Sequence, residues 1–424
     1  MAQSAHTGRV PSLSSRSFLP AWWRDAPPTA RRALAAAQLG WMLDAMDFAL
    51  YLMAIPALQH EFGFDKATAG LLATVALLSS AFGGVFFGAL ADRIGRTRAL
   101  SATVLVYSFA SLGTAMSGSV VQLLAWRTLL GLGLGGEWSA GAVLVAESWP
   151  AEHRGKAIGF MQAGWAIGYL VAALLAALIL PTLGWRALFV VGVAPALLAV
   201  WIRRRVAEPA AWSARRPSTA SALAALRTPA VLRRLAAASL LSAAVMFGYW
   251  GLFTWVPSFL ANPVDQGGAG LGLVRSAVWI VPMQLGAFAG YASFGFFADR
   301  FGRRPSAAVF LVAAAALVPL YGGLARTPWA LLALGPLLGF FGHGYFSVFG
   351  ALLAELFPTA VRGAAQGLAY NAGRALSAAA PTVIGALATR HGLGTALGAT
   401  SAFFLAGALL LGLVPETRGR ALPD

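Results

Sequence analysis

Twelve stretches of this chain are each apolar over about the length a helix needs to cross a bilayer, roughly 20 residues. They run over residues 35–58, 68–91, 99–117, 120–147, 157–180, 186–203, 236–259, 273–298, 306–323, 328–354, 362–388 and 394–414. In hydrocarbon every backbone N–H and C=O must be satisfied internally, which leaves helices or closed barrels. Barrel strands are about ten residues long and alternate in polarity, whereas these runs are longer and continuous. The fold class expected is an all-α membrane protein. Of the 424 residues, 58% are hydrophobic and 11% are charged, against about 25% charged in soluble domains. An ordinary soluble enzyme and a disordered chain are both excluded. The 48 glycines suit helices packed backbone to backbone in lipid. The absence of cysteine removes disulfides and thiolate metal sites. The polar first 30 residues contain no apolar core with a cleavage site and are not read as a signal peptide. Trp22 and Trp23 in that region suit the headgroup level.

The net charge of +16 is unevenly placed. With the N-terminus put in the cytoplasm, 24 of the 31 basic residues fall in inner segments and five in outer ones, and Arg127 and Arg374 lie within spans. That bias predicts both termini inside. The positive charge then faces anionic lipid, and no nucleic-acid partner is needed to explain it.

The chain also repeats. Gly88-Ala-Leu-Ala-Asp-Arg-Ile-Gly-Arg96 matches Gly295-Phe-Phe-Ala-Asp-Arg-Phe-Gly-Arg303 at an offset of 207. Glu147 and Glu355, Arg154 and Arg362, and Glu208 and Glu416 are each 208 apart. One offset shared by four features predicts two six-helix halves in the same orientation, twelve transmembrane helices in all. The expected units are a cytoplasmic tail over 1–34, bundles over 35–203 and 236–414, a linker over 204–235 and a tail over 415–424. Parallel repeats of this kind place a site between the halves near the midplane.

These paired loops, the Glu-x6-Arg pairs and the terminal Pro415-Glu-Thr-Arg-Gly419 resemble the major facilitator superfamily over roughly residues 35–420. The resemblance implies the major facilitator fold. It also implies a conformational salt-bridge latch that holds the outward-open state. Its members here are Asp92, Arg93, Arg96, Glu147, Arg154 and Glu208, echoed by Asp299, Arg300, Arg303, Glu355, Arg362 and Glu416. Topology alone would explain the basic residues but not the matched acids.

An ionisable side chain near a helix centre costs at least ~2.5 kcal/mol and so has a partner or a task. The first half carries four: Asp44, Asp47, Arg127 and Glu137. Asp44 and Asp47 share one helix face. Asp47 lies about 18 Å into its span and Arg127 about 11 Å into its own. An acid and a guanidinium placed this way can neutralise each other, and protonation of the acid would release the arginine. A packing role is the alternative. None of these charges has a copy in the second half, which instead carries Arg374, about 18 Å above its inner end. No acid shares that helix, and a midplane guanidinium suits a carboxylate cargo through paired N–H donors. Asn371, on the same face, and Tyr370 are expected to join it in substrate binding. So are His343, Gln162, Trp165 and Tyr249, while Phe247, Trp250, Phe253 and Tyr169 are further candidates for the cavity wall.

Gly40-Trp-Met-Leu-Asp-Ala-Met-Asp-Phe48 resembles the first-helix motif of proton-coupled organic-acid symporters. Gly136-Glu-Trp-Ser-Ala-Gly141 and Glu147-Ser-Trp-Pro150 resemble the sialate/lactate:proton symporters, near the aromatic-acid:proton symporters. The implied function is proton-coupled symport of a small organic monocarboxylate, lactate-like or sialic acid, by alternating access. The alternatives are an aromatic-acid or sugar symporter and, in another class, a non-transporting membrane sensor. No phosphate-cradling loop and no hydrolase or metalloprotease motif is present, so neither ATP hydrolysis nor enzyme activity is expected. The expected partners are a small organic anion, a proton and the lipid bilayer, with a proton gradient and no cofactor. A monomer in a bacterial inner membrane is the expected setting.

Overall fold

The computed structural model describes residues 21–24, 26–150, 153–209, 228–358 and 362–418. The expected tails over 1–34 and 415–424 and the linker over 204–235 each extend beyond these ranges. The side chains of Arg154 and Arg362 also lie outside the described residues.

The described chain is a succession of helices. The first half contains α1 (Ala21–Arg24), α2 (Pro28–Phe62), α3 (Lys66–Ile94), α4 (Arg96–Ala115), α5 (Val120–Ser148), α6 (Arg154–Val191) and α7 (Ala196–Arg205). The second contains α8 (Pro229–Phe253), α9 (Val256–Ala261), α10 (Gly272–Phe301), α11 (Arg303–Gly323), α12 (Pro328–His343), α13 (Phe346–Glu355), α14 (Arg362–Ser377), α15 (Ala380–His391), α16 (Leu393–Gly398) and α17 (Thr400–Leu410). Four elements cross singly in the first half, α2 to α5, and α6 with α7 supplies two crossings. α6 breaks at Gly184, whose φ of 73° only glycine adopts without cost. In the second half α10 and α11 cross singly, while the pairs α8–α9, α12–α13, α14–α15 and α16–α17 are each a crossing with an interruption. The twelve expected spans are thus present. Eight helical runs are long and apolar enough to cross by composition alone, and one of these, Lys156–Ile202, contains two crossings.

Short polar caps set the turns. Asp65 accepts the Thr68 backbone N–H at 2.8 Å and starts α3. That bond, with a further one from the Thr68 side chain, holds the Asp65 carboxyl below its ordinary range. Ser119 does the same for α5 through Gln122.

The repeat is visible in the packing. A Cβ on Gly131 would fall 2.1 Å from the Ala76 carbonyl, and one on Gly339 would fall 1.9 Å from that of Met283. Gly83 approaches the Leu132 carbonyl, and Gly290 that of Phe340, in the same way. These contacts correspond at the 207–208 offset. α3–α5 and α10–α12 are therefore the same glycine-mediated helix pair built twice, in the manner of small-residue packing in membranes.

Between the halves, α3 packs on α15 and α14, and α6 packs on α10. From the end far from the basic loops to the middle, α3 touches its partners closely. Gly385 meets the Lys66 carbonyl, Gly70 meets Pro381, the Thr74 and Thr382 hydroxyls share a hydrogen bond at 2.8 Å, and Gly84 meets Asn371. One turn further on, a Cβ at Gly88 or Gly367 would meet nothing within 4 Å, and the same holds for Gly159 on α6 and Gly295 on α10. Among the described residues, the halves touch closely at the far end, and these four glycines make no such contact at the basic-loop end.

Candidate functional site

A narrow cavity of about 30 Å³ lies between the halves. The first half contributes Trp41 from α2, Leu134 from α5, and Gln162 and Trp165 from α6. The second contributes Met246, Tyr249 and Trp250 from α8, Tyr291 from α10, Phe346 from α13, and Tyr370 and Arg374 from α14. The walls are aromatic and mutually packed. Trp165 lies 4.8 Å from Trp41 between ring centres, and its Nε1–H donates to the Tyr249 hydroxyl at 2.8 Å across the interface. Trp250 meets Phe48 at 5.2 Å.

Arg374 is 2% exposed and lines this cavity instead of facing lipid. Its guanidinium makes two long contacts, 3.5 Å to the Ser80 hydroxyl and 3.4 Å to the Tyr370 hydroxyl, and lies 5.0 Å from the Tyr370 ring centre. Its Nε has no hydrogen-bond partner among the described residues. No described carboxylate makes an ion pair with it. Buried charge costs several kcal/mol unless it is paired, and among the described residues the guanidinium is left with these two long contacts.

Of the substrate residues expected from sequence, Arg374, Tyr370, Gln162, Trp165 and Tyr249 line the cavity. Asn371 does not. Its side-chain N–H₂ donates to the Gly367 carbonyl at 3.0 Å and its amide fills the notch at Gly84, so it is a contact between halves. His343 also stands outside the lining. It is fully buried one layer behind, its Nδ1 at 3.1 Å from the Gly339 carbonyl and its ring against Phe253 and Tyr249. Phe247 instead stacks on Phe403 at 3.9 Å. Tyr169 donates to the Phe253 carbonyl.

The four charges of the first half divide into two places. Asp44 has both oxygens buried and without a hydrogen-bond partner among the described residues. It feels the like charges of Glu137 and Asp47 and the opposite charge of Arg374. Glu137 Oε2 accepts from Thr103 at 3.0 Å, while Oε1 presses on Gly40, where a Cβ would be 1.8 Å away. Glu137 thus reaches from α5 to the backbone of α2 one turn before Asp44. Asp47 lies deeper in the first half. It accepts the Ser111 hydroxyl at 2.6 Å and sits beside Gly192. Arg127 has no hydrogen bond on any guanidinium nitrogen and lies 4.3 Å from the Tyr51 ring centre. The direct Asp47–Arg127 pair expected from sequence is therefore not formed. The Ser111 hydroxyl takes the carboxylate and the tyrosine face takes the cation.

At the basic-loop end the matched charges make two copies of one assembly. Arg96 holds Glu147 through two bonds of 3.1 Å and Asp92 at 2.6 Å. Glu208 accepts the Arg96 backbone N–H at 2.7 Å together with those of Thr97 and Arg98, capping α4. The carboxylate occupies the place where a Cβ on Gly95 would sit, and Gly95 has a φ of 109°. In the second half Arg303 pairs with Asp299 and, at 3.8 Å, with Glu355. Glu416 accepts the backbone N–H groups of Arg303 and Arg304 and so caps α11. Burial opposes the charge of Glu416, but those N–H donors with Thr417 and Arg418 hold its carboxyl below the ordinary range. Arg93 and Arg300 are exposed and stay out of these ion pairs. Every ion pair in the cluster formed between two described side chains stays within one half. The expected latch therefore joins loop to helix ends in each half and makes no described pair between halves.

A profile described as Major Facilitator Superfamily matches residues 39–293. The chain belongs to the major facilitator superfamily. A protein of Cupriavidus pinatubonensis (strain JMP 134 / LMG 1197) named "Probable 4-methylmuconolactone transporter" is 37% identical over 95% of this chain and 95% of its own. The sialic acid transporter of Escherichia coli (strain K12) is 30% identical over 92% and 95%. Among solved structures, the inward-open xylose transporter from E. coli superposes with a TM-score of 0.75 at 20% identity, covering 93% of this chain and 98% of that one. That likeness speaks for the fold alone. The superfamily and these relatives are transporters, not enzymes, and this chain is a multi-pass membrane transporter.

In this transporter the sequence reading missed Trp41, Leu134, Met246, Tyr291 and Phe346 as lining residues. Trp41 had a usable signal, since it lies three residues before Asp44 on the same helix face. Trp138 was also missed. It stacks on Tyr370 across the interface with ring centres 4.3 Å apart and planes at 7°.

Proposed function

We propose that this transporter takes up a small organic monocarboxylate together with a proton by alternating access. In this reading the basic loops and both termini face the cytoplasm of a bacterial inner membrane. The carrying observation is Arg374, a buried guanidinium that lines the central cavity without a carboxylate partner. A cargo carboxylate completes it through charge-assisted hydrogen bonds. The positive-inside bias supports the orientation.

The cavity walls refine the cargo. Trp41, Trp165, Tyr249, Trp250, Tyr291, Phe346 and Tyr370 enclose a slot, and Gln162 is a neutral polar group within it. Flat conjugated acids fit between such faces better than a polyhydroxylated acid does. Aromatic or unsaturated cyclic acids are therefore favoured over lactate-like acids and sialic acid. The muconolactone relative, at 37% identity, points the same way.

Proton coupling falls to the acids of the first half. Asp44 follows the cavity residue Trp41 by three positions on α2, Glu137 presses on Gly40, and Asp47 accepts from Ser111. A proton removes the charge that makes a buried carboxylate costly. The cargo carboxylate brings one negative charge and the proton one positive charge, so anion and proton arrive together with no net change in local charge.

The test is uptake of radiolabelled benzoate, lactate, sialic acid and xylose by proteoliposomes under an imposed pH gradient. Accumulation of an acid that collapses with the gradient supports the reading. Gradient-independent uptake, or accumulation of xylose alone, removes it.

A further inference from the structure

We infer that the Trp138–Tyr370 stack is the cytoplasmic gate of the cargo cavity, with Gln162 fixing the Trp138 ring. The inference rests on the orientation proposed above for what it calls cytoplasmic, and it adds a residue that the cavity lining does not contain.

Chain direction places the stack. α5 runs towards the basic-loop end, and Trp138 follows the cavity residue Leu134 by four residues. α14 runs away from that end, and Tyr370 precedes Arg374 by four. Each ring therefore lies one helical turn, about 6 Å, on the basic-loop side of its cavity neighbour. α6 also runs away from that end, and Gln162 precedes Trp165 by three. The Trp138 Nε1–H donates to Gln162 Oε1 at 3.2 Å. The three side chains form one layer at the cavity floor, drawn from α5, α6 and α14.

Among the described residues, no second ring pair joins the halves beneath this layer. Gly367 is one turn further along α14 and Gly159 one turn further along α6, and a Cβ on either would meet no atom within 4 Å. Gly88 and Gly295 complete the same open level. Trp138 is half-buried, whereas Tyr370 is 7% exposed. Among the described residues, this is the ring pair that joins the two halves between the cavity and the wide end. The Tyr370 hydroxyl also accepts from Arg374 at 3.4 Å. A cargo carboxylate that takes over the guanidinium frees this hydroxyl and loosens the Tyr370 side of the stack.

The chain contains no cysteine, so a single reporter thiol reads the gate directly. Met246→Cys places a thiol in the cavity wall. Its alkylation by a membrane-impermeant maleimide is followed in inside-out and right-side-out vesicles, without any cargo. Adding Trp138→Ala should speed labelling in inside-out vesicles by roughly tenfold, the order expected for losing one stacked pair from the closed state. Trp138→Phe keeps a stacking ring and should stay near the parent rate. An unchanged rate in Trp138→Ala overturns the inference. So does acceleration in both vesicle orientations, which marks general loosening. Acceleration confined to right-side-out vesicles keeps the gate and reverses the proposed topology. The readout needs no substrate, so failure of the carboxylate reading would show in binding and leave this result intact.

Discussion

Asp47 and Arg127 occupy the interior of the same six-helix half without forming an ion pair. Asp47 is held by the Ser111 hydroxyl at 2.6 Å, and Arg127 lies over Tyr51 at 4.3 Å with three unbonded guanidinium nitrogens. The Ser111 oxygen also lies 3.1 Å from the Phe189 carbonyl, a second acceptor for its single proton, so this hydroxyl sits where α2, α4 and the end of α6 meet. A proton arriving at Asp47 would change what Ser111 bonds to and therefore how these helices meet.

That geometry leads to the first expectation. Asp47→Asn retains an oxygen that accepts from Ser111 but cannot gain or lose a proton. Accumulation of labelled acid driven by a pH gradient should fall to background, while exchange of labelled for unlabelled acid should persist. Both are measured in proteoliposomes. Uphill uptake equal to the parent's would move coupling to Asp44 and Glu137, where Asp44→Asn and Glu137→Gln test it in the same assay.

Arg374 gives the second. Its removal leaves a cargo carboxylate with neutral polar groups such as those of Tyr370, Ser80 and Gln162. Losing a hydrogen bond to a charged group costs about 1.5–3 kcal/mol, so Arg374→Ala should weaken benzoate binding by roughly ten- to a hundredfold. Lysine restores charge but not the planar fork, and Arg374→Lys should recover only part of the loss. Calorimetric titration of the detergent-solubilised protein reads both. Equal affinity of Arg374→Ala and parent would return this arginine to packing.

The fold was legible in the sequence because its causes are long and repeated. Apolar runs of bilayer length fix the crossings, and a constant offset between charged loops fixes the duplication. The 207–208 offset reappears in the contacts of Gly131 and Gly339. The cavity was only partly legible. Arg374 stood out because a lone charge in an apolar helix is costly. Tyr291 and Phe346 did not stand out, because an aromatic residue facing a cavity has the same local pattern as one facing lipid. Asn371 failed as a lining residue for a related reason, and His343, on α12, lies one layer behind the wall for the same lack of a fixed helical rotation. Residues near Arg374 along the chain differ by a helical rotation that sequence alone does not fix, and Asn371 turned to Gly84 instead. Trp138 was illegible because its partners lie on α14 and α6, far along the chain.

The glycine contacts give a paired stability expectation. A Cβ at Gly135 would lie 1.7 Å from the Ser80 carbonyl, and backbone cannot yield as a flexible side chain does. Gly135→Val must force α3 and α5 apart, at a cost of about 1–3 kcal/mol or more. At Gly367 an added Cβ meets nothing. Gly367→Ala should leave the melting temperature of the solubilised protein near the parent's, while Gly135→Val lowers it by several degrees. Equal melting temperatures would mean that the α3–α5 contact is looser than the structure shows.

Glu416 supplies a pH dependence whose sign is fixed by its surroundings. Burial disfavours the carboxylate, but the backbone N–H groups of Arg418, Arg304, Arg303 and Thr417 outweigh it and hold the group below its ordinary range. An acid whose proton affinity is lower in the folded state stabilises that state wherever it is ionised in both states, above about pH 4.3. The contribution disappears as pH falls through the lowered folded value, because the proton then cancels the cap on α11. Glu416→Gln lacks the charge at every pH. The parent should therefore melt at a higher temperature than Glu416→Gln at pH 7. The gap should narrow steadily below about pH 4, as followed by thermal unfolding across a pH series. A gap that stays constant to the acid limit would mean that Glu416 acts by shape and not by charge, and the cap on α11 would then owe nothing to ionisation.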